Sequence, residues 1–355
     1  MQKEVILSYF PKITNKRFKD LCNNYSSWQE IKNITFNDLN SLGWKKEAKE
    51  SFFEWRKQVD IEEIKQELKQ ENIECVTISD ENYPKLLKEI HDPPFCLFKK
   101  GEIKKEEFAL GIVGTRKNSK YGKQVTYKIV KKLARSGVTI VSGMAYGIDS
   151  FAHKATMQAN GRTIAVLGGG LDEKNIYPAE HRDLAEEIVD SSGAVVTEYC
   201  PGTSPSQYTF PQRNRIISGL SHGVLVVEAG ESSGALITAD SALDQNREVL
   251  AIPHRITDKN GVGVNQLIRE GATPVTCPED IFNEFHLEFD DEQDEIEPEN
   301  KKEAEIIEFL SEEPIHIDKI VKKTNLNSSE VTSTLSILEM KGVVKNLGNM
   351  KYAIT

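Results

Sequence analysis

The chain has 355 residues, enough for two or three domains, and its formal charge of −10 argues at first against a polyanionic partner, since nucleic-acid binders usually show a basic footprint. The excess acid is local: residues 284 to 299, EFHLEFDDEQDEIEPE, hold nine acids and no Lys or Arg, and taking those nine from the −10 leaves −1 for the rest. Cys22, Cys75, Cys96, Cys200 and Cys277 are scattered without CxxC spacing, which argues for reduced thiols and offers no zinc site; with no run near the ~20 apolar residues of a membrane span, the expected location is the cytoplasm.

Residues 1 to about 70 carry aromatics at helical spacing, such as Phe52, Phe53, Trp55 and Val59, with breaks near Asn33 and Gly43. They predict a small helical domain, of sterile-alpha-motif or helix-hairpin-helix type, with a packing or protein-contact role as its plain reading. Residues 71 to 107 hold one expected strand, ECVTI, and then turns marked by YPKLL and DPPF. They lead into the main domain, taken as residues 71–283.

From Phe108 onward strands and helices alternate. The expected strands are ALGIV (109–113), VTIVS (138–142), TIAVL (163–167), AVVTE (194–198), GVLVV (223–227) and EVLAI (248–252). Between the first two, Val125, Ile129, Leu133 and Ala134 share one helical face. Such alternation specifies an α/β fold, an extended Rossmann-like doubly wound parallel sheet. An acidic linker is expected at 284–300 and a further domain at 301–355. Its order is helix, helix, helix capped by Asn327 with Glu330 three residues on, then a hairpin turning near Gly348, which is the order of a winged helix. The third helix offers Ser and Thr but no Arg, so base reading and protein contact both stay open.

Ligands of doubly wound sheets bind beyond the carboxyl ends of the strands, and the unusual residues follow the strands. After the first comes Gly114, Thr115 and Arg116; after the second Ser142 and Gly143, then Asp149 and His153. After the third stand Gly168, Gly169, Tyr177 and His181, and after the fourth Glu198 and the stretch FPQRNR with Phe210, Arg213, Asn214 and Arg215. After the fifth, Ser232, Ser233 and Gly234 open a helix. Glycines let backbone approach a ligand, arginine forks grip phosphate, and helix starts favour anions. Arg213 and Arg215, beside Pro211 in a first helical turn, are expected to grip phosphate, and Tyr146, Phe151, Tyr177, Tyr208 and Phe210 to stack bases. No GxxxxGK[ST] loop occurs, nor a GxGxxG fingerprint after the first strand, and no GxSxG elbow is read as presenting a nucleophile, so binding without turnover is expected, with no catalytic residue, cofactor or metal.

The combination of GIVGTR, SGMAYGID, LGGGLD with YPAEH, FPQRNRIISGLS and ESSGALITA resembles the DNA-processing protein A (DprA or Smf) family over roughly residues 80 to 275. The resemblance implies a Rossmann-type domain that binds single-stranded DNA without sequence preference, dimerises and loads the RecA recombinase in natural transformation, without a catalytic reaction. It implies Arg116, Arg213 and Arg215 as phosphate contacts, with Gly114, Gly143, Gly168 and Gly169 shaping the groove. Where some relatives carry a lysine, this sequence has Ala179 and Gln207, with Lys154, Lys174 or Arg182 as substitutes. The alternative is a nucleotide sensor or nucleoside phosphoribohydrolase-like enzyme, whose active turn reads PGGxGTxxE where this chain reads AGESSGALITAD. A transcription factor acting through the winged helix would leave the sheet edge without a role.

Overall fold

The computed structural model describes residues 1–288, 300–310, 313–340 and 343–354, which form two compact units, residues 1–289 and 290–355. Most of the expected acidic linker, residues 289–299, lies outside the described residues.

The first unit is built on a nine-stranded sheet. Its strands are β1 (Glu74–Thr77), β2 (Cys96–Gly101), β3 (Ala109–Val113), β4 (Thr139–Ser142), β5 (Thr163–Val166), β6 (Ala194–Thr197), β7 (Gly223–Val226), β8 (Glu248–Ala251) and β9 (Thr273–Pro274). Their order is β1-β2-β6-β5-β4-β3-β7-β8-β9, with β3 to β9 parallel and β1 and β2 added antiparallel at the β6 edge. All six expected parallel strands are present. Two strands were not expected: β2, hidden behind Pro93-Pro94 in a segment read as turns, and the two-residue β9.

The chain winds outward from β3 through β4, β5 and β6, then returns to the other side of β3 to lay down β7. The β3/β7 boundary is therefore the switch point, where the loops leaving the two strands diverge and open a crevice. Strand alternation divides the core between two layers. Leu110, Ile112, Ile140, Leu225 and Leu250 pack with Ile129, Leu133, Ile148 and Ala152 of helices Lys120–Arg135 and Ile148–Gln158. Val113, Val141, Val166, Val224 and Val226 pack against Ile216, Ile217, Ala235 and Ala239 of helices Thr209–Gly219 and Gly234–Asp244. Burial on both faces accounts for strands that are almost wholly apolar.

Six helices between Lys3 and Gln70 precede the sheet. Leu7, Phe10, Phe18, Leu21, Leu39, Trp44 and Phe52 form a core of their own, with a capping box of Thr35 and Asp38 starting one helix. This bundle is tied to the sheet layers: Phe18 stacks on Phe95 at 4.0 Å, and Ile64 and Leu68 of helix Ile61–Gln70 pack with Phe98, Leu167 and Ile188.

In the second unit, helices Lys301–Ile307, Ile317–Lys323 and Ser328–Met340 accompany a three-stranded sheet of β10 (Ile315–His316), β12 (Lys351–Ile354) and β11 (Val344–Asn346) in that spatial order. Ile306, Ile320, Val331, Leu335 and Val344 fill its core. The Asn327 carboxamide accepts from the Glu330 amide and the Glu330 carboxylate from the Asn327 amide, each at 3.0 Å, a reciprocal cap as the sequence predicts. This is a winged helix.

Candidate nucleic-acid interface

Five loops leave the carboxyl ends of β3 to β7, and they bring most of the sequence-predicted residues to one edge. The turn after β3 is held at the switch point: the Thr115 amide donates to the Glu228 carbonyl at 2.8 Å, and the Ile148 amide to the Thr115 carbonyl at 3.4 Å. Glu228, which sequence reasoning did not single out, lies buried behind it and accepts from both the amide and the hydroxyl of Ser119, the N-cap of helix Lys120–Arg135. Its only sequence signal is an acid ending a run of apolar strand residues. With the turn so fixed, Arg116 projects into solvent, its guanidinium carbon 5.1 Å from the centre of the Phe210 ring. It makes no ion pair among the described residues.

Around this arginine stand aromatic rings. Phe210 is half-buried at the start of helix Thr209–Gly219 and lies 5.6 Å from the ring of Tyr177; Tyr177 and Tyr146 are exposed, and Tyr208 is 72 % exposed. Gly168 makes the arrangement possible: a Cβ there would stand 2.9 Å from Phe210 Cδ1. Phe151 sits apart, beside Tyr127 and under Lys123, and does not join the group.

Arg213 and Arg215 correct the expectation of two phosphate-gripping forks. Arg213 is 4 % exposed, and its Nη1 donates to the Gly143 carbonyl at 2.6 Å and to the Val166 carbonyl. Burial pushes its pKa down to about 10, so it stays charged at neutral pH, with buried Asp149 as its counter-charge. Burial raises the pKa of Asp149, and Arg213 opposes that rise. Gly143 is required because a Cβ would stand 2.5 Å from the guanidinium. Arg215 pairs with Glu198 and lies 3.7 Å from Asp92, which leaves it engaged with carboxylates. Both arginines therefore brace the loops beneath the edge. That Phe210 stays half-buried at the edge while Arg213 and Arg215 turn to partners within the protein is a distinction invisible in the string FPQRNR.

The remaining predicted residues divide similarly. Ser142 is buried and donates to the Ile112 carbonyl at 2.6 Å; Gly169 packs under Pro205. Ser233 caps helix Gly234–Asp244, and Asn214 donates to the Gly234 carbonyl at 3.3 Å, which ties the middle of helix Thr209–Gly219 to the start of the next. Gly114 stands in the turn close against Ile148. His153 is fully buried on Thr163, and burial pushes its pKa down to about 3, with charge from His181 and Arg213 adding. Of the cations weighed as substitutes for the absent lysines, Lys154 and Lys174 are exposed, while Arg182 lies 3.8 Å from Glu173. Among the described residues no group of His, Cys, Asp or Glu is placed to hold a metal, and no helix is long and apolar enough to cross a membrane.

A doubly wound sheet whose switch-point edge carries an exposed arginine, clustered aromatic rings and two helix starts defines a Rossmann-like binding protein with an anion-seeking edge. Comparison with known proteins narrows the class: a family model described as DNA recombination-mediator protein A matches residues 74–286, and one described as the DprA winged helix domain matches residues 291–350. The chain belongs to this DNA recombination-mediator protein A family, known as DprA or Smf. It is 45 % identical over 219 residues to DNA processing protein DprA of Bacillus subtilis, covering 61 % of this chain and 73 % of that one. It is 40 % identical over 285 residues to protein Smf of Escherichia coli, covering 78 % and 76 %. The X-ray structure of DNA processing protein A from Streptococcus pneumoniae superposes with a TM-score of 0.67 at 34 % identity, over 81 % of this chain and 97 % of the other. A structure of DNA processing protein A from Helicobacter pylori, described for its single-stranded DNA binding mode, gives 0.54 at 28 % identity, over 60 % and 95 %.

Proposed function

We propose that this protein binds single-stranded DNA without sequence preference along its switch-point edge, and that as a cytoplasmic homodimer it hands the coated strand to the RecA recombinase during recombination or natural transformation. The observation that carries the reading is Arg116, exposed, unpaired and stacked on Phe210 beside Tyr177 and Tyr208. A guanidinium meets phosphate, and rings accept any base on their faces, each stack contributing roughly 1–3 kcal/mol. Neither feature reads a base edge, so sequence is not recognised. The family membership and the single-stranded DNA named for the Helicobacter relative support the same reading.

The protein acts here without turnover. The two side chains weighed for acid or base chemistry, Asp149 and His153, are buried against Ala145 and Thr163 of the same chain, which supports this reading. Fluorescence anisotropy with a ~30-nucleotide strand and its duplex, over a range of salt, tests the proposal. Wild type should prefer the single strand, and Arg116→Ala should weaken binding alike for unrelated sequences while lowering the salt slope by about 0.7. Duplex preference, or affinity indifferent to Arg116, would refute it; base release from nucleotides would instead favour a hydrolase.

A further inference from the structure

On the other side of the switch point the same edge continues. The loop after β8, residues 253–260, is stitched to the Arg116 turn: the Asn260 carboxamide donates to the Lys117 carbonyl at 2.8 Å, and the Ala229 amide donates to the Asn260 carbonyl at 2.8 Å. His254 anchors this loop from within, its Nε2–H donating to the Val227 carbonyl at 2.8 Å and its ring edge-on to Tyr121 at 5.2 Å. The surface that results carries Lys117, Lys120, Arg255 and Lys259, all exposed and none in an ion pair among the described residues. Between them lie two apolar groups in water, Tyr121 at 45 % and Ile256 at 95 % exposed. Residues 114–123 contain no acid, and Asp258 is the single acid in the loop 253–260.

We infer that this Tyr121–Arg255–Ile256–Lys259 surface is a second subsite for the same single strand, reached from the Arg116 turn through Lys117. The inference rests on the reading of the edge given above. Charge complementarity and continuity with that edge name the occupant: a phosphate backbone passing Arg116 meets cations spaced along the next loop. An exposed ring and an isoleucine side chain offer apolar contact to unpaired bases, whose faces a duplex does not present. The consequence is a footprint longer than the aromatic cluster alone could cover. The β3 turn becomes the middle of the path rather than its end.

Strand length separates the two subsites, because single-strand site sizes run from about 4 to 16 nucleotides. Anisotropy titrations of the full chain would compare a ~8-nucleotide and a ~30-nucleotide oligothymidylate. Arg255→Ala/Lys259→Ala should weaken the longer strand several-fold, lower its salt slope by about 1.4 for two phosphates, and change the shorter one less than about two-fold. Tyr121→Ala should weaken the longer strand further. Arg116→Ala should weaken both. Wild-type affinity and slope on the long strand in the double variant would overturn the subsite while leaving the Arg116 edge in place. A loss confined to duplex would overturn the choice of occupant. Failure of wild type to bind either strand would overturn the reading of the edge itself.

Discussion

Arg213 shows how one residue serves the site without touching a ligand. Its guanidinium joins the Gly143 carbonyl after β4 to the Val166 carbonyl at the end of β5, and its charge faces the buried Asp149 at the start of the next helix. Removing it leaves a carboxylate buried without its counter-charge, a loss typically near 3–5 kcal/mol. Arg213→Ala should therefore unfold at markedly lower urea, whereas Arg116→Ala, a surface change, should stay within about 0.5 kcal/mol of wild type. The pH dependence has a definite sign. Burial raises the folded pKa of Asp149, and loss of Arg213 raises it further. A raised folded pKa favours the protonated folded state, so the penalty is absent well below pH 4, where the unfolded carboxyl also holds its proton, grows as pH rises through the unfolded value of about 4, and levels off above the folded one. Urea midpoints at pH 5 and pH 7.5 should show the gap between variant and wild type widening at the higher value. A gap equal at both would mean that Asp149 is not what Arg213 neutralises.

At the scale of elements, legibility followed burial pattern. The six parallel strands announce themselves as apolar runs because both faces are covered, and the winged helix announces itself through its Asn327 cap and hairpin. Strand β2 was missed because CLFKKG follows two prolines and is apolar only in its first half, where it meets the layer containing Ile188 and Leu184. At the candidate site, the turns singled out in the sequence do converge on one edge, since strand ends must converge in a doubly wound sheet. The sequence did not separate outward from inward arginines. Arg116 follows a turn held by Glu228, while Arg213 lies on the inner face of a helix whose periodicity is weakened by the polar residues around it. The cap makes its own prediction. Asn327→Ala removes the side-chain acceptor of the Glu330 amide, at a cost of about 1 kcal/mol. Differential scanning calorimetry of the full chain should show the winged-helix transition moved down and the sheet transition unmoved. A shift in both would mean that the two units unfold as one.

Across the whole molecule, the distribution of charge favours the sheet edge as the proposed seat of binding. The acids concentrate in residues 284–299, whereas residues 114–123 at the switch point carry cations and no acid. Helix Ser328–Met340, which in a DNA-reading winged helix would enter the groove, has only Glu330 and Glu339 as charged groups and exposes Ile337 and Met340. Such a helix carries no cation to neutralise phosphate, and its apolar exposure suits a protein surface. Deleting residues 301–355 should therefore leave single-strand affinity within about two-fold of the full chain and its salt slope unchanged, because the slope counts phosphates neutralised by cations that the deletion retains. Anisotropy titration of the truncated chain at several salt concentrations measures both quantities. A slope reduced by two or more would place phosphate contacts on the winged helix through Lys319, Lys322 and Lys323, and would turn the sheet edge into one half of a composite site. An unchanged slope with loss of a partner interaction would assign the winged helix to protein contact, leaving the switch point as the sole seat of DNA binding.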